Sequence, residues 1–141
     1  MSVTVFATLA RTTAPQIALR RFLALDAIVT TANALAYVAF AGPLGELFGV
    51  GRTTVLVFGV LLTLYGAAVG LLASRRQPPA FPVTCVVEAN YAWAVLSLVS
   101  LFAWFSPTTA GAVWIAAQAL TVAAFAVLQQ LALRSRGSEA Q

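Results

Sequence analysis

Four apolar runs of about twenty residues or more, each closed by Arg, Pro or Gly, take up nearly the whole of this sequence. A helix needs about 20 residues to cross a hydrocarbon core of about 30 Å. Lipid offers backbone polar groups no partner, so only helices and closed barrels cross it. The runs here are continuous rather than alternating, which removes the barrel. Composition agrees: 61% of residues are hydrophobic and 9% charged, against about 45–50% and about 25% in a soluble domain. Such a chain has too little polar surface to cover a soluble fold and too little charge to stay disordered. The expectation is an all-α protein, a transmembrane four-helix bundle with antiparallel up-down topology.

The spans fall at about 22–41, 53–74, 82–105 and 108–133, within a transmembrane domain of residues 20–134. Residues 1–19 read as an N-terminal cytoplasmic or interfacial segment. Val3 to Ala10 precedes Arg11 there, the reverse of the order in a secretory signal. Gly42, Pro43 and Gly45 end the first run. Leu44, Leu47 and Phe48 follow at helical spacing, as in a small amphipathic turn at the interface. Arg75 to Pro79 is a sharp stop. Ser106 and Pro107 suit an N-cap and a first helical position. Residues 135–141 form a polar tail.

All eight basic residues are Arg. Arg11, Arg20, Arg21, Arg75, Arg76, Arg134 and Arg136 fall on one side of this topology, and Arg52 alone on the other. The positive-inside bias then places both termini in the cytoplasm of a cell whose plasma membrane the chain crosses several times. The same clusters account for the net charge of +4 without nucleic acid.

The residue types that are missing exclude further classes. With no His and one Cys there is no imidazole for haem, zinc or proton shuttling, and no dithiol couple. With no Lys there is no Schiff base. No metal, cofactor or enzymatic activity is expected. The expected partners are the lipid bilayer and either another membrane protein or a second copy of the chain.

Of four acids, Glu46 and Glu139 lie outside the spans and Asp26 and Glu88 inside them. An ionisable group within a span is a functional candidate by default. Each is expected about 6–9 Å below the cytoplasmic end. Asp26, Thr30, Asn33 and Tyr37 share one face of span one, and Thr84, Glu88 and Tyr91 one face of span three. Trp114, Gln118, Thr121, Phe125 and Gln129 make a stripe on span four. If the stripes face inward they form a polar seam, whose candidate site is Asp26, Thr30, Asn33, Glu88, Tyr91 and Gln118. Gly59, Gly66 and Gly70 on span two are candidate helix-packing residues. Trp93, Trp104 and Trp114 suit packing or interface anchoring, and Cys85 a buried inert thiol. Spans one and three each carry an acid, then an Asn, then aromatics, which hints at an internal duplication about 62 residues apart.

Two functions compete. In one, the seam is structural glue, with Asp26 paired to Arg20 or Arg21 and Glu88 to Arg75 or Arg76, and the chain is a structural or accessory membrane subunit. In the other, the chain is a small proton-linked carrier or ligand-binding membrane protein using Asp26 and Glu88.

Several stretches carry a resemblance. They are Leu19-Arg20-Arg21, Leu25-Asp26-Ala27, Asn33 to Tyr37, Ala41 to Gly45, Glu88-Ala89-Asn90 with Ala92-Trp93, and Ser106 to Gly111 with Val113-Trp114. Together they resemble small four-span integral membrane proteins of actinobacteria, over most of the chain after residue 18. The general layout is also similar to that of DoxX-like four-helix proteins. The resemblance implies a bacterial four-span fold and carries over no activity and no site residue.

Overall fold

The computed structural model describes the backbone of residues 2–103 and 107–140, and side chains within residues 15–103 and 107–137. Five helices follow in order: α1 Ser2–Ala39, α2 Ala41–Phe48, α3 Arg52–Ser74, α4 Ala80–Ala103 and α5 Thr109–Ala140. The described residues contain no strand. Four helices have stretches long and apolar enough to cross a membrane: Pro15–Ala39, Arg52–Ser74, Ala80–Ala103 and Thr109–Gly137. Between 22% and 28% of each apolar window is buried inside the protein. The remainder presents side chains such as Leu35, Leu64, Phe81 and Phe102 outward, a surface that water would not tolerate and a bilayer would. This is a multi-pass membrane protein.

Sequence and structure differ at several ends. The first span was expected to open at Phe22, but α1 is continuous from Ser2 and its apolar stretch begins at Pro15. Residues 2–14 hold no Gly or Pro to stop a helix. Pro15 removes one backbone donor without ending it. The tail expected from residue 135 continues α5 to Ala140. Ser106, the expected cap, and Trp104 lie outside the described residues. Pro107 is not the first helical residue, because α5 starts at Thr109. Thr108 is the cap: its hydroxyl accepts the Gly111 N–H at 3.1 Å.

The predicted interfacial turn is α2, and it is tied at its C-terminal end. Gly49 closes it with φ of 71°, a left-handed conformation that favours Gly. The Leu47 carbonyl accepts the Thr108 N–H at 3.0 Å, which fastens α2 to the start of α5. A Cβ on Gly111 would collide with that carbonyl, so this approach requires Gly.

α1 is the centre of the bundle. It packs along α3 on one side and α5 on the other, and α4 packs on α5. The α1–α3 crossing is close because α3 offers Gly. A Cβ on Gly59 would meet the Val38 side chain at 2.8 Å, and one on Gly66 would meet the Thr31 hydroxyl at 2.5 Å. At Gly70 the nearest atom is the Ala27 Cβ at 3.8 Å, an ordinary contact. The Gly66–Gly70 pair therefore serves packing within the chain, through Gly66. α3 and α4 scarcely touch, so the ring of helices is thin along that seam.

At the end that carries Arg75 and Arg76, hydrogen bonds join α1, the α3–α4 turn and α5. Gln16 donates to the Arg76 carbonyl at 2.9 Å, Arg20 to the Ala73 carbonyl at 3.3 Å, and Arg136 to Gln16 at 3.0 Å and to the Pro78 carbonyl.

Candidate functional site

Asp26 is 1% exposed and sits in the middle of α1's apolar stretch. Three neutral groups donate to its carboxylate. Asn90 of α4 and Gln129 of α5 each reach Oδ2 at 2.8 Å, and Thr30, one turn along α1, reaches Oδ1 at 3.1 Å. Asn90 also donates to Gln129 Oε1 at 3.1 Å. It accepts from the Tyr65 hydroxyl of α3 at 2.8 Å, with the Val86 carbonyl at 3.2 Å from the same hydroxyl. One cluster thus draws a residue from each spanning helix. No buried side-chain nitrogen or oxygen among the described residues is left without a partner, as a low-dielectric interior demands.

These residues share one level. Asp26, Tyr65, Asn90 and Gln129 each lie about 8–11 residues, or roughly 12–16 Å, from the Arg-rich end of their spans. That is deeper than the 6–9 Å expected for Asp26, because its span begins at Pro15 rather than at Phe22. The expected pairing of Asp26 with Arg20 or Arg21 is replaced by amides and a hydroxyl. Arg20 turns to the Ala73 carbonyl instead, and Arg21 is exposed.

Beside the cluster is a cavity of about 430 Å³. Asp26, Thr30 and Asn33 line it from α1, Tyr65 from α3, Asn90 and Trp93 from α4, and Trp114, Gln118, Thr121 and Phe125 from α5. The predicted stripe on span four faces this space, with Gln129 in the cluster beneath it. Four of the six candidate residues, Asp26, Thr30, Asn33 and Gln118, are therefore brought together. The carboxamides of Asn33 and Gln118 make no hydrogen bond to the described protein groups, and both residues are half-buried at the cavity wall.

Glu88 and Tyr91 lie elsewhere. Glu88 is exposed on the outer face of α4, and the Tyr91 hydroxyl donates to Gln130 of α5 at 3.1 Å. Two residues along a helix are about 200° apart, so with Asn90 facing inward Glu88 faces out. Cys85, one turn before Glu88, is exposed rather than buried. The Thr84 hydroxyl is used on its own helix, by the Ala80 carbonyl at 2.9 Å.

In the sequence Asn90 stood out as part of the hinted repeat and of the Glu88-Ala89-Asn90 stretch, Gln129 as the end of a stripe, and Tyr65 not at all. A usable signal existed for Asn90. A Glu can extend its carboxylate toward an interface, whereas a short mid-span carboxamide cannot and has to find its partner inside the bundle.

A second cavity, of about 210 Å³, adjoins the first toward α2. Trp93 and Gln118 line both. Tyr37 and Phe48, in edge-to-face contact at 5.9 Å, stand at its far end. Across the thin α3–α4 seam, Phe58 meets Trp93 edge-to-face at 5.6 Å.

Compared with protein-family models, curated proteins and solved structures, the chain matches none.

Proposed function

We propose that this multi-pass membrane protein binds a small molecule in the cavity between its four spans, with the Asp26 cluster as the rigid polar wall. One observation carries the reading: the free carboxamides of Asn33 and Gln118 face a 430 Å³ space bounded by the Asp26 cluster on one side and by mainly apolar and aromatic side chains on the others. Ligand sites are of this kind, apolar pockets of about 300–1,000 Å³ with a few placed polar groups. Structural glue alone accounts for the Asp26 cluster, where every partner is satisfied, but leaves these two carboxamides without a purpose. The site offers amides, hydroxyls and aromatic rings, and its chemistry is binding rather than catalysis. The Arg asymmetry supports an orientation with both ends in the cytoplasm, and the proposed location is a bacterial plasma membrane.

Native mass spectrometry of protein extracted into lipid nanodiscs without detergent tests this. A non-protein adduct is expected on the parent and lost from Ala117→Phe, which fills the cavity from α5 without touching the Asp26 cluster. An adduct-free parent, or an adduct indifferent to Ala117→Phe, overturns the reading.

A second reading, contact with a partner subunit, is favoured by Glu88. A charged group exposed on the outer face of a span, about 12 Å from its Arg-rich end, is costly against lipid. A protein neighbour relieves that cost.

A further inference from the structure

Resting on the ligand-binding reading above, we propose that the ligand is an uncharged single-chain amphiphile, with its polar head in the larger cavity and its hydrocarbon tail in the smaller one. Three features define this class.

The first is shape. The two cavities share Trp93 and Gln118 and so lie end to end. Asp26 marks one end and Tyr37 the other on the same helix, about 16 Å apart. A long narrow ligand can occupy both cavities, whereas a compact one would leave the smaller cavity unused.

The second is the difference in polarity. The larger cavity has Asn33, Gln118 and Thr30 on its wall. The smaller one is aromatic and aliphatic, through Tyr37, Phe48, Phe58, Leu96 and Ile115. Its two serine hydroxyls are used on their own helix, Ser97 donating to the Trp93 carbonyl at 2.7 Å and Ser100 to the Ser97 carbonyl at 2.8 Å. Among the described residues this leaves polar groups only at its two ends, Tyr37 at the far one and Gln118 at the one shared with the larger cavity. Hydrocarbon belongs in that compartment.

The third is charge. Asp26 is the one charged residue on either wall among the described residues, and no Arg reaches it. An anionic head therefore meets repulsion in a low dielectric. A cationic head finds the carboxylate already covered by three donors and 1% exposed. The groups still open are carboxamides, each both donor and acceptor, and these match a hydroxyl or carbonyl head.

The test doses nanodiscs holding the protein with amphiphiles at equal mole fraction and counts adducts by native mass spectrometry. A head series on one dodecyl tail compares a monoglyceride, a fatty acid and an alkylammonium. The monoglyceride is expected to exceed each charged form by on the order of tenfold. A tail series on the monoglyceride compares octyl, dodecyl and hexadecyl chains, with a preferred length expected. Ser100→Phe, which fills the smaller cavity, should shift that preference to the shorter chain. Both series use the parent protein, so they decide the matter even if a variant fails to fold. Binding that ignores head charge, favours either charged head or ignores tail length overturns this inference and leaves the cavity reading standing. If no amphiphile binds and the parent carries no adduct of any kind, both fall.

Discussion

Asn90 donates a hydrogen bond of 2.8 Å to Asp26 across 64 positions of sequence, joining α4 to α1, two helices that are not otherwise packed against each other. The two arms of the bundle, α1–α3 and α4–α5, meet where α1 packs on α5, and this bond adds a direct link from α1 to α4 beside the cavity. Asn90→Leu removes this donor, a second bond to Gln129 and the acceptor for Tyr65. A single interhelical hydrogen bond in a membrane is worth about 0.6–2 kcal/mol. Stripping one donor from a buried carboxylate costs more, so Asn90→Leu should destabilise by about 2–3 kcal/mol. The pair Asp26→Leu with Asn90→Leu should cost less than the sum of the two single changes, since no orphaned carboxylate remains. Unfolding by denaturing detergent against a mild micelle measures all three variants. Additive losses would mean that the cluster is not one unit.

The α1–α3 crossing ranks the glycines. Gly66→Ala drives a Cβ against the Thr31 hydroxyl, and Gly59→Ala against Val38. Both partners are β-branched and stiff at χ1, so each change should cost about 1–3 kcal/mol through overpacking. Gly70→Ala meets nothing closer than 3.8 Å and should be neutral, or gain a few tenths of a kcal/mol from helix propensity. Gly111→Ala should be the worst of the four, because its obstacle is the Leu47 carbonyl, a backbone atom that is itself bonded to Thr108. Melting temperatures of the four variants in one detergent check the order. A Gly70→Ala loss equal to that of Gly66→Ala would contradict it.

The seam between α3 and α4 is crossed by the Tyr65 hydroxyl, within hydrogen-bond distance of both Asn90 and the Val86 carbonyl, and by the Phe58–Trp93 ring pair. Tyr65→Phe deletes the first and keeps the volume. A loss of about 1 kcal/mol is expected. Hydrogen exchange should rise in α4 near Asn90 and stay unchanged along the α1–α3 crossing. Uniform exchange in both places would mean that the seam is not the weak wall.

Element existence was legible in the sequence because lipid imposes it. Continuous apolar runs of this length with so little charge have only one backbone solution, and the four spans, the α2 turn and the Arg75–Pro79 break all follow from that constraint. The faces of α1, α3 and α5 were also legible, since the spacing of Asp26, Thr30 and Asn33, of Gly59 and Gly66, and of Trp114 through Gln129 fixes each by helical geometry. The face of α4 was not. Its most conspicuous residue, Glu88, points outward, and the less conspicuous Asn90 points in. Charge within a span points to an interior site, yet a flexible acid two turns from an interface is among the few polar groups that an outer face can bear. The helix starts at Ser2 and Thr109 were hidden for another reason. At Thr109 the boundary is set by the Thr108 cap together with the Leu47 carbonyl that meets the Thr108 N–H, a tertiary contact that the local sequence does not encode, and before Pro15 no Gly or Pro stops the helix.

The outer face of α4 gives the last prediction. Glu88 and Cys85 are exposed one turn apart, below the Arg-rich end of the span. Since Glu88 faces lipid in a single copy, Glu88→Gln should not destabilise that copy and should raise its stability by relieving the cost of the charge. If a neighbour covers this face in the cell, Cys85 should react with a membrane-permeant maleimide in nanodiscs that hold one copy and be protected in native membranes. Both samples place the thiol in lipid, so the bilayer itself cancels from the comparison. Protection that persists after Glu88→Gln would assign the contact to the apolar surface around Phe81. Protection lost with the charge would assign it to Glu88 and to a donor on the partner. Equal labelling in the two samples would leave α4 facing lipid, and the partner reading would fail.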